Sequence, residues 1–268
     1  MRTSSNPAFR NLPTSPGGYA RFGDAPAGMG AAGLGSMGGG SPMSAAGTAD
    51  RPITVDDVVQ KTALNLAVTL VAGVLTVFSG FYALGIVGFI VGLVLSLIIA
   101  FKQSTNKFLV LGYSVSMGMA LGAITGALQS MGGQYAGIGV QAVIATMGVF
   151  IGMLVVYKTG AVKVTPRLTK MVIGAVIGAV ILMVVNLVAG FFIEGGLGLR
   201  DDGPLAILFS IAMIALGAFM LLLDFDQADQ AVKAGVPARF AWFLAFGFMT
   251  SLVWIYIEIL RLLSYFRE

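Results

Sequence analysis

The chain has 268 residues, 57% of them hydrophobic and 10% charged, with a mean hydropathy of +0.92. Soluble domains carry roughly 25% charged residues, so the composition excludes an ordinary soluble fold and fits an all-α, polytopic membrane protein. With no Cys and no His, thiol chemistry, zinc fingers and histidine bases are excluded too, and the net charge of +4 reads as membrane orientation rather than nucleic-acid affinity.

Residues 1–52 are rich in Gly, Ala, Ser, Pro and Met and show no helical periodicity, so they are expected to form a disordered cytoplasmic tail. Residues 53–268 are expected to form one seven-helix transmembrane domain. It opens on "TVDDVVQKT", where Thr54 and Asp57 have the spacing of a capping box, so a short amphipathic helix is expected to lead into the membrane. Seven apolar segments follow: Ala63–Gly80, Ala83–Phe101, Phe108–Leu128, Ile138–Tyr157, Met171–Ile193, Leu205–Leu223 and Phe240–Leu263. Each is long enough to cross a hydrocarbon core of about 30 Å. The first two are joined so tightly around Gly80–Tyr82 that an antiparallel hairpin is expected.

If the N-terminus is inside, every Lys and every Arg except Arg200, Arg261 and Arg267 falls on the inner side. That asymmetry satisfies the positive-inside rule and predicts a cytoplasmic N-terminus and an external C-terminus; the membrane is expected to be the plasma membrane. Small residues recur at four-residue spacing: Gly118, Gly122 and Gly126 in the third span, Gly148 and Gly152 in the fourth, Gly174 and Gly178 in the fifth. Such ridges let helix backbones approach closely, which predicts a compact bundle. Asn65, Gln141, Thr146 and Asn186 are expected to hydrogen-bond between helices.

Charged groups inside spans are costly and mark interiors or water paths. Glu258 and Arg261 lie one turn apart in the seventh span and are expected to form an ion pair, while Ser251, Glu258 and Tyr265 share its face. At the inner end of the sixth span, Asp226, Asp229 and Lys233 read as a solvated, self-pairing face. Asp224 shares its side with Gly217, Met220 and Leu221 and is expected to point into the bundle. The acidic side chains of the last two spans are then expected to meet in a shared, partly wet centre, with Asp224 titrating near physiological pH and Asp226 as a secondary candidate. No nucleotide-binding, nucleophile-elbow or metalloprotease motif is present, so neither a catalysed reaction nor a cofactor is expected.

"VQAVIATMGVFIGMLVVY", "MVIGAVIGAVILMVVNLV", "LLLDFDQAD" and "EILRLL", in this order and spacing, resemble the Bax-inhibitor family. The resemblance covers about residue 56 to the C-terminus, and the tail and the "LDFD" variant look like its actinobacterial branch. It implies seven helices around a central seventh. It also implies a pH-sensitive calcium leak or, in other members, association with a membrane-bound protease. The family's Asp at the end of the sixth helix falls on Asp224 and its late arginine on Arg261, whereas its second Asp falls on Ser251, which cannot ionise. Taken with the charged stripe of the seventh span, which supplies Glu258 as a new acid about two turns beyond Ser251, the resemblance implies an ion path and pH sensor at Asp224, Ser251, Glu258 and Arg261, with a weak calcium site at Asp224. The alternative is a non-conducting protein that modulates a membrane protease or another complex. The partners expected are the lipid bilayer, calcium ions and such a protease. A secondary transporter fits less well, because no internal duplication is visible.

Overall fold

The computed structural model of the chain describes residues 51–193, 197–200 and 203–267. The disordered tail expected at residues 1–52 therefore lies almost wholly outside the described residues. Seven helices follow in order: α1 (Val55–Ser79), α2 (Ala83–Lys102), α3 (Lys107–Ser130), α4 (Ile138–Thr159), α5 (Pro166–Ala189), α6 (Pro204–Lys233) and α7 (Ala241–Tyr265). All seven are long and apolar enough to cross a membrane, and no strand occurs among the described residues.

The helix ends are fixed by local chemistry. Thr54 Oγ1 accepts from the Asp57 backbone N–H, and Asp57 Oδ2 accepts from the Thr54 N–H, a complete capping box. The amphipathic lead-in and the first span are therefore one continuous helix rather than two elements. The same Asp57 carboxylate receives both Arg51 nitrogens, at 2.7 and 2.8 Å. Thr165 caps α5 through the Leu168 N–H, with Pro166 in the first turn, where its missing N–H costs nothing. Gly80 ends α1 with φ of 67°, a left-handed conformation that glycine tolerates.

α7 is the central helix. It packs against α1, α3, α4 and α6, and its buried face includes Leu244, Phe248, Met249, Leu252, Ile255 and Ile259. One apolar core joins it to α1, α4 and α6; a second joins it to α2 and α3 through Ile99, Val110, Tyr113 and Met117. α1 and α2 each pack mainly against α3, so their hairpin is splayed, with α3 as the shared partner.

The glycine ridges divide into two classes. On α3, a side chain at Gly118 would collide with the Thr69 carbonyl, one at Gly122 with Gly73, and one at Gly126 with the Tyr82 ring. There the expected close packing holds. Gly148, Gly152, Gly174 and Gly178 meet nothing within 4 Å, so the expectation fails on α4 and α5. The reason is partnership rather than sequence: among the described residues α5 packs mainly on α6, and both of its glycines are exposed.

Two ends of the bundle can be distinguished by charge. At one, Ile53 N–H donates to the Val236 carbonyl and Ala238 N–H to the Arg51 carbonyl, both at 2.8 Å, strapping the start of α1 to the α6–α7 loop. Lys61, Lys102, Lys107, Lys158, Lys163 and Lys233 lie toward this basic end. At the other, Arg267 of the C-terminus reaches the Gln134 and Ala136 carbonyls and Gln141 Oε1.

Candidate functional site at the α6–α7 interface

Buried positions of α6 toward α7 include Met213, Gly217 and Leu221, followed by partly buried Asp224. Their steps of three and four keep one helical face. Across from them, α7 presents Gly247, Ser251, Ile255 and Glu258 in the same rhythm. The interface is thus apolar in the middle and polar toward both ends.

Toward the basic end, Ser251 Oγ donates to Asp224 Oδ2 at 2.5 Å. Ser251 is fully buried. One turn earlier, Gly247 leaves room for the other carboxylate oxygen: a Cβ there would stand 3.4 Å from Asp224 Oδ1. Among the described residues, no Lys or Arg pairs with Asp224. The carboxylate is held by a neutral hydroxyl in a confined setting, where an unpaired charge is expensive.

Toward the opposite end, Glu258 is 3% exposed. Arg261 Nη1 donates to Glu258 Oε1 at 3.1 Å and to Oε2 at 3.2 Å. A second guanidinium completes the cluster: Arg200 Nη2 stands 3.7 Å from Glu258 Oε1. The Arg200 carbonyl accepts from Tyr265 Oη at 3.3 Å, and Arg200 Nη2 also reaches Met183 Sδ at 3.3 Å. Burial pushes the Arg200 pKa down, as does the Arg261 charge, while Glu258 pulls it back up. From so high a starting value an arginine still stays charged.

From sequence alone Arg200 reads only as a loop charge recording orientation. It sits beyond α5, far along the chain from Glu258, and no local pattern announces their meeting. Asp226 stands apart from Asp224; its Oδ2 accepts from Gln230 on its own helix. Asp229 pairs with Lys233 and accepts from Tyr157 Oη at 3.2 Å, so the self-pairing face splits into two separate contacts. Asn65 does bond across helices, accepting from Ser114 Oγ at 2.7 Å, and Gln141 accepts from Arg267. Thr146 instead bonds the Ala142 carbonyl of its own helix, and Asn186 accepts from the Leu197 N–H in the following loop.

The shared wet centre expected for the two acids is not the arrangement found. Seven residues of α7, about 10 Å of rise, separate Ser251 from Glu258, and tight apolar packing fills the interval. A Cβ on Gly217 would stand 2.6 Å from Ile255 Cγ1 and 3.2 Å from Trp254 Cδ1. Trp254 Nε1 donates to the Met213 carbonyl at 3.2 Å, fixing the ring across the gap. Among the described residues, no three acidic side chains converge in a way that would hold a metal ion. Two grooves, of about 390 and 480 Å³, lie elsewhere, between α1 and α4, and neither is lined by Asp224 or Glu258.

No curated protein and no solved structure matches the chain. One family does, and it takes in the central α7, the acid at the end of α6 and most of the N-terminal tail alike. Residues 6–268 match the family described as Bax inhibitor 1 like, and the chain belongs to that family.

Proposed function

We propose that this chain is a proton-sensitive passive leak for cations, calcium first among them, across the plasma membrane. The observation that carries the reading is the Asp224–Ser251 hydrogen bond, in which a carboxylate with no cationic partner among the described residues joins the central helix to α6. The packed Gly217–Ile255 contact supports reading this conformation as closed. An ionised carboxylate gains more from water than a neutral acid does. An opened, hydrated α6–α7 interface is therefore favoured with Asp224 ionised, and the packed one with Asp224 protonated. By linkage, raising the pH shifts the population toward the open form and the leak rises. Carboxylate, hydroxyl and backbone oxygens are the hard ligands that calcium accepts, here few enough for passage rather than storage.

The test is the purified protein in liposomes loaded with a calcium dye, from pH 5.5 to 8. Flux above that of empty liposomes, rising with pH, is expected; Asp224→Asn is expected to be low and flat. No flux, or an unchanged pH profile in Asp224→Asn, overturns the mechanism.

A second reading, a non-conducting modulator of a membrane protease or another complex, is favoured by one observation. The glycine ridges of α4 and α5 face outward with nothing against them, and such ridges are built for close helix contact. Crosslinking in native membranes would return one dominant partner if this reading holds.

A further inference from the structure

α1 packs against α3, α6 and α7, and α4 packs against the same three helices, so the two flank α7 without closing over it. Two apolar grooves lie between them and share Leu66. The groove nearer the basic end, of about 480 Å³, is floored by Phe225 and Phe248 and walled by Val58, Leu66, Phe150 and Leu154. The other, of about 390 Å³, continues toward Val77 and Gln129 at the opposite end. From Val55 to Val77, α1 rises by roughly 33 Å at 1.5 Å per residue, about the thickness of a hydrocarbon core. The trough therefore runs along the membrane normal, in the direction of an acyl chain.

The charges at its mouth are not symmetric. Asp229 and Lys158 both line the groove nearer the basic end. Asp229 is already engaged by Lys233 and Tyr157. Lys158 is exposed, forms no ion pair with any described residue, and stands near Lys163, Arg167 and Lys170 in sequence. An exposed cation at the rim and an apolar trough below match the order of phosphate and acyl chain in a phospholipid. Basic pockets between membrane helices are the sites at which anionic headgroups are retained.

We propose that the α1–α4 trough holds one anionic phospholipid, its phosphate on Lys158 and one acyl chain lying over α7 along Leu66 and Phe248. A lipid so placed would touch the central helix directly and would bear on any movement of α7. The site does not depend on how Asp224 is read, since neither groove includes it.

The test uses the full chain in detergent, stripped of lipid and re-exposed to dioleoylphosphatidylglycerol or dioleoylphosphatidylcholine, with retained lipid counted by native mass spectrometry. One retained phosphatidylglycerol per chain is expected, in at least fivefold preference to phosphatidylcholine. Lys158→Gln, an exposed change that leaves the fold alone, is expected to abolish the preference, and Leu66→Trp to exclude both lipids. A photo-crosslinking residue at Leu154 is expected to form a lipid adduct. No retained lipid, a preference untouched by Lys158→Gln, or an adduct with protein in place of lipid would each overturn the proposal.

Discussion

Ser251 gives Asp224 a hydrogen-bond donor and no charge, so the proposed proton sensitivity rests on a neutral partner that does not hold the carboxylate ionised as a cation would. Removing the donor with Ser251→Ala leaves a confined carboxylate without its partner, at a cost of about 1–3 kcal/mol where the group is ionised and less where it is neutral. Thermal unfolding in detergent should therefore show a larger loss at pH 8 than at pH 5.5. An equal loss at both would mean that Asp224 does not change protonation in that window. At the other end, Glu258 has two cations of unequal standing. Arg261 is the nearer and the more buried, so Arg261→Gln should destabilise by about 3–5 kcal/mol, the cost of stranding a buried charge. Arg200 stands 3.7 Å away with a third of its side chain exposed, so Arg200→Gln should cost up to about 1 kcal/mol. Because Arg200 ties a loop to α7, the same change should, if the proposed calcium leak holds, raise it by up to about fivefold, read in the liposome assay. Asp224 and Glu258 were legible in the sequence because helical spacing alone assigns a residue to a face. Arg200 was not, because its meeting with Glu258 is set by how a loop folds over the end of the bundle.

The helices separate what local pattern can say from what it cannot. Their number and approximate spans were legible because crossing hydrocarbon imposes length and apolarity residue by residue. The start of α1 was legible as well, since Thr54 and Asp57 state a capping box within four positions. The uses of the glycines were not. Gly118, Gly122 and Gly126 have the same spacing as the pairs on α4 and α5, yet only the α3 set lies against other helices. Spacing prepares a surface, and the tertiary arrangement decides whether anything is laid on it. Gly122→Ala would put a methyl into the Gly73 backbone, and overpacking of that kind costs about 1–3 kcal/mol. Gly148→Ala meets open space and should be neutral or stabilising by up to about 1 kcal/mol through helix propensity. Paired melting curves in one detergent distinguish the two. A large loss for Gly148→Ala would show that α4 is covered in the assembled protein, which would favour the modulator reading.

At the scale of the whole molecule, the central position of α7 explains why the polar residues gather where they do. Every other helix shows part of its surface to lipid, whereas α7 packs against four neighbours and can carry Ser251 and Glu258 without exposing them. Its ends are also tied. The α6–α7 loop pairs with the backbone of Arg51 and Ile53, and Arg267 holds the C-terminus to the α3–α4 connection. A helix fixed at both ends moves by tilting or rotating between those ties, which would bring Gly217 off Ile255 without unfolding either strap. Charge gives an expectation for which end faces the cytoplasm: the lysines gather at the end where α1 begins, and translocating that end would work against the positive-inside rule. The chain has no Cys, so a single cysteine reports its own side cleanly. A membrane-impermeant maleimide applied to intact cells should label Gln134→Cys, in the α3–α4 connection, and leave Lys163→Cys, in the α4–α5 connection, unlabelled until the membrane is permeabilised. The reverse pattern would invert the protein. Asp224 would then face the external medium, and its protonation would follow external rather than cytoplasmic pH.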